Sequence, residues 1–113
     1  MAQYAVMIFE RVAPADLPPE VMQGHMDLPA RIAEHGGRIV AGLGLEHPDT
    51  ATSIRDDAIT DGPFIETKEV LGGVFVIEAR DLDHALALAR MTPIVDGGVE
   101  VRPLVGFEVL EAG

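Results

Sequence analysis

The sequence predicts an α+β domain, and three observations predict it. Apolar runs rich in strand formers recur at residues 4–9, 38–45, 70–79 and 99–110. Two stretches with helical spacing of apolar residues, 16–37 and 81 to about 91, follow the first and third of these runs. Between the two halves, residues 50–54 and 58–60 flank Asp56-Asp57 and read as a short hairpin. Strand, helix, strand, hairpin, strand, helix, strand is a ferredoxin-like split βαβ order with an extra hairpin.

Each element has its own warrant. Residues 4–9 are uninterrupted apolar chain between Gln3 and Glu10, too short for a stable helix, and read as a strand covered on both faces. In a domain of one sheet and one helix layer the second face then needs another cover, and a partner subunit is the expected one. For the first helix, Pro18 and Pro19 suit the first turn, Glu20 suits the positive end of the helix dipole, and Gly36-Gly37 stops it. At about 100° per residue, Val21, Met22, His25, Met26, Leu28, Pro29, Ile32 and Ala33 share one arc, with Gln23, Asp27, Arg31 and Glu34 opposite. Pro29 cannot donate to the carbonyl of His25, so a bend is expected there. Gly42 and Gly44 in the second strand mark a bulge or a close backbone approach. Asp81 is expected to cap the second helix, with Leu82, Ala85, Leu86 and Ala89 as its buried stripe and Asp83 and His84 outside it. The last run, 99–110, reads as one long or broken strand.

Composition narrows the partners. With 113 residues, 48% hydrophobic and 24% charged, residues 1–113 fit a single domain. Eight basic and nineteen acidic residues give 8 − 19 = −11, which disfavours nucleic acid and anionic membrane and mildly favours neutral or cationic small partners. Cysteine is absent, so neither a disulfide framework nor a thiolate metal site can form. The N-terminus has no basic segment followed by a cleavage site, and its apolar run is too short to span a bilayer, so a cytoplasmic protein is expected. No glycine-rich phosphate loop and no histidine pair at metal-ligand spacing is present; neither a cofactor nor a metal is expected.

His25 is the one histidine on an apolar helix arc. It reads either as a core histidine satisfied by a backbone carbonyl or as a general acid/base in a pocket between helix and sheet. Asp61-Gly62-Pro63-Phe64 is a rigid turn followed by a large apolar side chain, in which Asp61 either stiffens the turn or reaches a ligand. Glu66, Thr67, Lys68 and Glu69 follow; in an extended stretch Glu66 and Lys68 share a side, as Glu100 and Arg102 do in the last strand.

The run Asp61-Gly62-Pro63-Phe64 with Glu66-Thr67-Lys68-Glu69 and Gly72-Gly73 resembles the signature of the YCII-related proteins of the DGPF type. Thr50-Ala51-Thr52 and Val99-Glu100-Val101-Arg102-Pro103 extend the resemblance over nearly the whole chain. It implies a ferredoxin-like fold that pairs into a dimeric α/β barrel, and a first-helix histidine, here His25, acting with an acidic residue. Glu34 cannot be that residue, because nine positions along a helix turn it roughly 180° away. The expectation is a homodimeric small-molecule enzyme of lyase, isomerase or dehydrochlorinase-like type. His25 moves a proton, Asp61 or Glu66 orients or accepts, and Phe64, Glu66, Lys68 and Arg102 contact the ligand, with Lys68 or Arg102 holding an anionic group. The alternative is a non-catalytic ligand-binding or accessory protein on the same fold.

Overall fold

The chain runs β1 (Ala2–Glu10), α1 (Pro19–Glu34), β2 (Arg38–Gly44), β3 (Thr52–Arg55), β4 (Ala58–Asp61), β5 (Leu71–Ala79), α2 (Leu82–Ala89) and β6 (Gly97–Pro103). These elements come from a computed structural model that describes residues 1–63 and 70–110. Single 3-10 turns at Pro14–Asp16 and Pro48–Thr50 bracket the two connections at one end of the sheet. Strand β1 lies antiparallel to both β5 and β6, and β2 completes the order β2-β5-β1-β6. That order, with two helices, is the expected ferredoxin-like α+β arrangement. The extra hairpin, β3 with β4, forms a separate two-stranded sheet.

Period-two alternation decides the two faces of the sheet. Tyr4, Val6, Phe75, Ile77 and Ala79 point to one side and join Leu28 and Ile32 of α1 and Ala85, Leu88 and Ala89 of α2 in a single core. Both helices therefore cover the same face. On the other face Ala5 lies opposite Val76 and Met7 opposite Val74, with Ala41 and Leu43 beside them on β2. The uninterrupted apolar run at the start of the chain thus resolves into a core-facing set and a set on the helix-free face.

Several expectations are corrected. Within α1 only Leu28 and Ile32 are buried, whereas Met22 and Met26, expected in the buried arc, are 44% and 73% exposed. Val21 and His25 lie along the same side of the helix as Leu28 and Ile32 but are only half-buried. The helix continues through Pro29 as one element and begins at Pro19, because Pro18 stays extended at ψ 145° as its N-cap. In α2 the buried residues are His84, Ala85, Leu88 and Ala89, while Leu82 and Leu86 are exposed. The helix is turned so that the His84 ring can join two elements: Nδ1 accepts from the Arg80 N–H at 3.0 Å and Nε2 lies 2.8 Å from the His35 carbonyl oxygen. The last strand ends at Pro103, not at residue 110. The Leu104 N–H still donates to the Gln3 carbonyl, one residue from the start of β1 at Ala2.

Candidate functional site

The site grows from missing side chains. At the end of the sheet where β1 finishes and β5 starts, Ile8 is in register with Gly73, and Gly73 with Gly44. Residues directly opposite in antiparallel pairs share a face, so this row belongs to the helix side, yet two of its three members have no side chain. A Cβ on Gly44 would meet no atom within 4 Å, whereas one on Gly73 would come 2.8 Å from the Leu43 carbonyl oxygen. The glycines leave a hollow of about 430 Å³. Ile8 and Leu71–Gly73 form its floor, Val12, Pro14 and Leu17 of the β1–α1 connection one side, residues 45–48 another, and His25 the helix side. Such a volume, with mostly apolar walls and a few polar groups, suits a small organic ligand.

His25 stands one helical turn before the buried Leu28 and is half-buried. Among the described residues no group hydrogen-bonds its imidazole. Glu10, the last residue of β1, alternates onto the helix side with Tyr4, Val6 and Ile8 and is only 8% exposed. Its carboxylate is held by backbone donors: the Val95 N–H to Oε1 at 2.6 Å, and the Asp96 and Val12 N–H groups to Oε2 at 2.8 and 3.5 Å. Burial by itself would raise the Glu10 pKa, but the three N–H donors and the charge of nearby His25 outweigh it, and the carboxyl is held below its ordinary value. Arg11 secures the same loop, with its guanidinium on the Asp96 carboxylate at 2.7 Å and its N–H on the Asp96 carbonyl at 3.0 Å. Glu46 and His47 also line the hollow. His47 Nδ1 accepts from the Asp49 N–H at 3.2 Å and so caps the 3-10 turn.

The expected site residues are scattered by the fold. His25 lies on the pocket wall. Asp61 ends β4 opposite Thr52, exposed, and is not among the described wall residues. Arg102 sits opposite Ala5 on the helix-free face, its Nε bonded to Glu100 at 2.6 Å, so it does not share the hollow with His25. Phe64, Glu66 and Lys68 lie outside the described residues. The acidic group near His25 is Glu10, which sequence reasoning used only to mark the end of a strand. Its signal was present: continuing the alternation Tyr4, Val6, Ile8 by two residues puts a carboxylate on the core side, where it requires partners. Among the described residues no group of three or more histidine or acidic side chains is arranged to hold a metal ion.

Comparison with known proteins gives a family and no chemistry. A protein of Rhizobium meliloti (strain 1021), itself uncharacterised, is 44% identical over 59 residues, which cover 50% of this chain and 48% of that protein. The match thus spans about half the length of that relative. The YCII-related domain matches residues 2–108, nearly the full length, and the chain belongs to the YCII-related family.

Proposed function

We propose that this protein is a small-molecule enzyme in which His25 moves a proton on a ligand held between α1 and the sheet. One observation carries the reading: an imidazole with no hydrogen-bond partner among the described residues faces a ligand-sized hollow next to a buried, ionised carboxylate. Among the described residues nothing bonds either ring nitrogen of His25, so one can take a proton from the ligand and the other exchange with water. Glu10 is a poor proton acceptor, because both oxygens already accept from backbone N–H groups. It instead places a fixed negative charge on the wall beside the reacting groups. The chemistry this arrangement supports is proton abstraction and return, as in an isomerase or lyase.

The same reading includes a homodimer closed through the helix-free sheet face, in the manner of a dimeric α/β barrel. Its support is the apolar set Ala5, Met7, Val74 and Val76 on the sheet face that neither helix covers, where Ala5, Met7 and Val74 are half-buried and Val76 is buried. The DGPF-type signature of residues 61–64 fits this reading as a subtype within the family.

A screen of small carbon acids by thermal shift, followed by turnover assays on each hit, tests the proposal. His25→Asn keeps a hydrogen-bonding arm but cannot shuttle protons near neutral pH, so it is expected to fold normally and lose turnover by a factor of about 10² to 10⁴. Wild-type hits that bind in the hollow without turning over would instead make the protein a non-catalytic binder.

A further inference from the structure

We infer that the hollow at His25 selects a small organic cation, an ammonium group on a compact apolar body, and rejects carboxylates and phosphates. This rests on the reading of the hollow as the ligand site. The apolar part of the ligand follows from the walls, which include Ile8, Val12, Leu17, Leu45, Val70 and Leu71. The sign of its charge follows from the titratable groups. Glu10 and Glu46 face the hollow, and neither lysine nor arginine is among its described wall residues.

The two carboxylates play different parts. Glu10 is ionised and its oxygens are occupied by backbone N–H groups, so it contributes field but little direct contact. Glu46 is exposed at the rim and has no hydrogen bond or ion pair among the described residues, so its oxygens are available to an incoming N–H. The net charge of the whole chain, −11, has the same sign. The basic residues first expected to hold an anion include Arg102, which is on the other face of the sheet and paired with Glu100. An anion entering the hollow would be desolvated against two like charges, with only the imidazoles of His25 and His47, and neither lysine nor arginine, on the described walls to offset them. An ammonium would meet Glu46 directly and the Glu10 field behind it, next to the imidazole of His25.

Three probes with one ring and different charge test this at pH 7.5: benzylammonium, benzyl alcohol and benzoate, titrated into isotopically labelled protein and followed by NMR. Saturable shifts at His25, Val12 and Leu45 are expected with benzylammonium, at an affinity at least tenfold above benzoate. Glu46→Gln, an exposed substitution, should reduce benzylammonium affinity several-fold and leave benzyl alcohol unchanged. Gly44→Leu should abolish binding of both. Benzoate binding as tightly as benzylammonium, or an unaltered preference in Glu46→Gln, overturns the inference while leaving the hollow as a ligand site. Ammonium binding that survives Gly44→Leu marks non-specific attraction to an acidic surface and also overturns it. Shifts absent from the hollow with all three probes overturn the inference and the reading of the site together.

Discussion

At the scale of single residues, Glu10 joins two roles that are separable by substitution. Its carboxylate anchors the backbone at Val95 and Asp96 and sets the field at His25. Glu10→Gln keeps the shape but replaces a charged acceptor and introduces an amide donor facing N–H groups. Urea melts should show a loss of about 2 kcal/mol or more, the scale of charge-assisted hydrogen bonds. Proton-transfer activity on any substrate found should also fall, because the wall loses its fixed charge beside the reacting groups. Gly44→Leu is the complementary case. A Cβ there meets nothing within 4 Å, so the unfolding free energy from urea melts should stay within about 0.5 kcal/mol of wild type while the added side chain fills the hollow. A large stability loss in Gly44→Leu would show that the row Ile8, Gly73, Gly44 is closed in solution.

At the scale of elements, the two halves of the molecule are tied by small polar devices. Asp81 caps α2 by accepting from the His84 N–H at 2.9 Å, and the His84 ring then links Arg80 to the end of α1. Asp81→Ala should cost about 0.5–2 kcal/mol in a denaturant melt, as lost N-caps do. His84→Ala should cost more, because it strands the Arg80 N–H and the His35 carbonyl as well as removing buried volume. Equal melts for the two variants would mean that α2 is held by its apolar stripe alone. The hairpin depends on Gly62, whose φ of 99° is unsuited to a side chain and whose N–H donates to the Ala51 carbonyl at 2.7 Å. The Ser53 hydroxyl donates to the Gly62 carbonyl from the neighbouring strand. Gly62→Ala should therefore destabilise by about 1–3 kcal/mol, the cost of a residue held in a disfavoured backbone region, with proteolysis between residues 51 and 63 rising first.

For the molecule as a whole, acid stability follows from Glu10. A carboxyl whose folded pKa lies below its ordinary 4.5 binds its proton more weakly in the folded state than in the unfolded one. Its contribution is therefore fully present above pH 4.5 and is lost as pH falls through the lowered folded value. Stability measured by denaturant melts from pH 6 downward should decline in the wild type, with a shallower decline in Glu10→Gln. Parallel curves would remove Glu10 as a source of the pH dependence. The helix-free sheet face gives a second expectation at this scale. Light scattering at micromolar protein should report a dimer, and Met7→Lys on that face should shift it toward monomer without altering the helix-side core. A stable wild-type monomer would sink the barrel arrangement, since exposed apolar sheet promotes aggregation.

The sequence by itself determined the succession of strands and helices, the hairpin between the halves and the sign of the molecular charge. Periodicity is a local property of the chain, so Leu28 and Ile32 in the first helix and Ala85 and Ala89 in the second were legible as core, whereas the apolar run 4–9 was legible as a strand but not as to which of its residues face the helices. His25 was legible for the same reason, as a titratable residue within an apolar arc. The tertiary structure alone decided which carboxylate approaches it. Glu10 and His25 line one hollow, and Glu10 feels the charge of His25, while Asp61 and Arg102 are carried to the hairpin and to the opposite sheet face. It also decided the rotation of α2, which burial of Leu88 and the bridge made by His84 set against the exposed Leu82 and Leu86. Helical spacing names an apolar stripe, but its exact facing depends on what packs against it. The hollow has the same origin: it exists because Gly73 and Gly44, distant in the chain, fall beside Ile8 in one row, and only strand register brings them there.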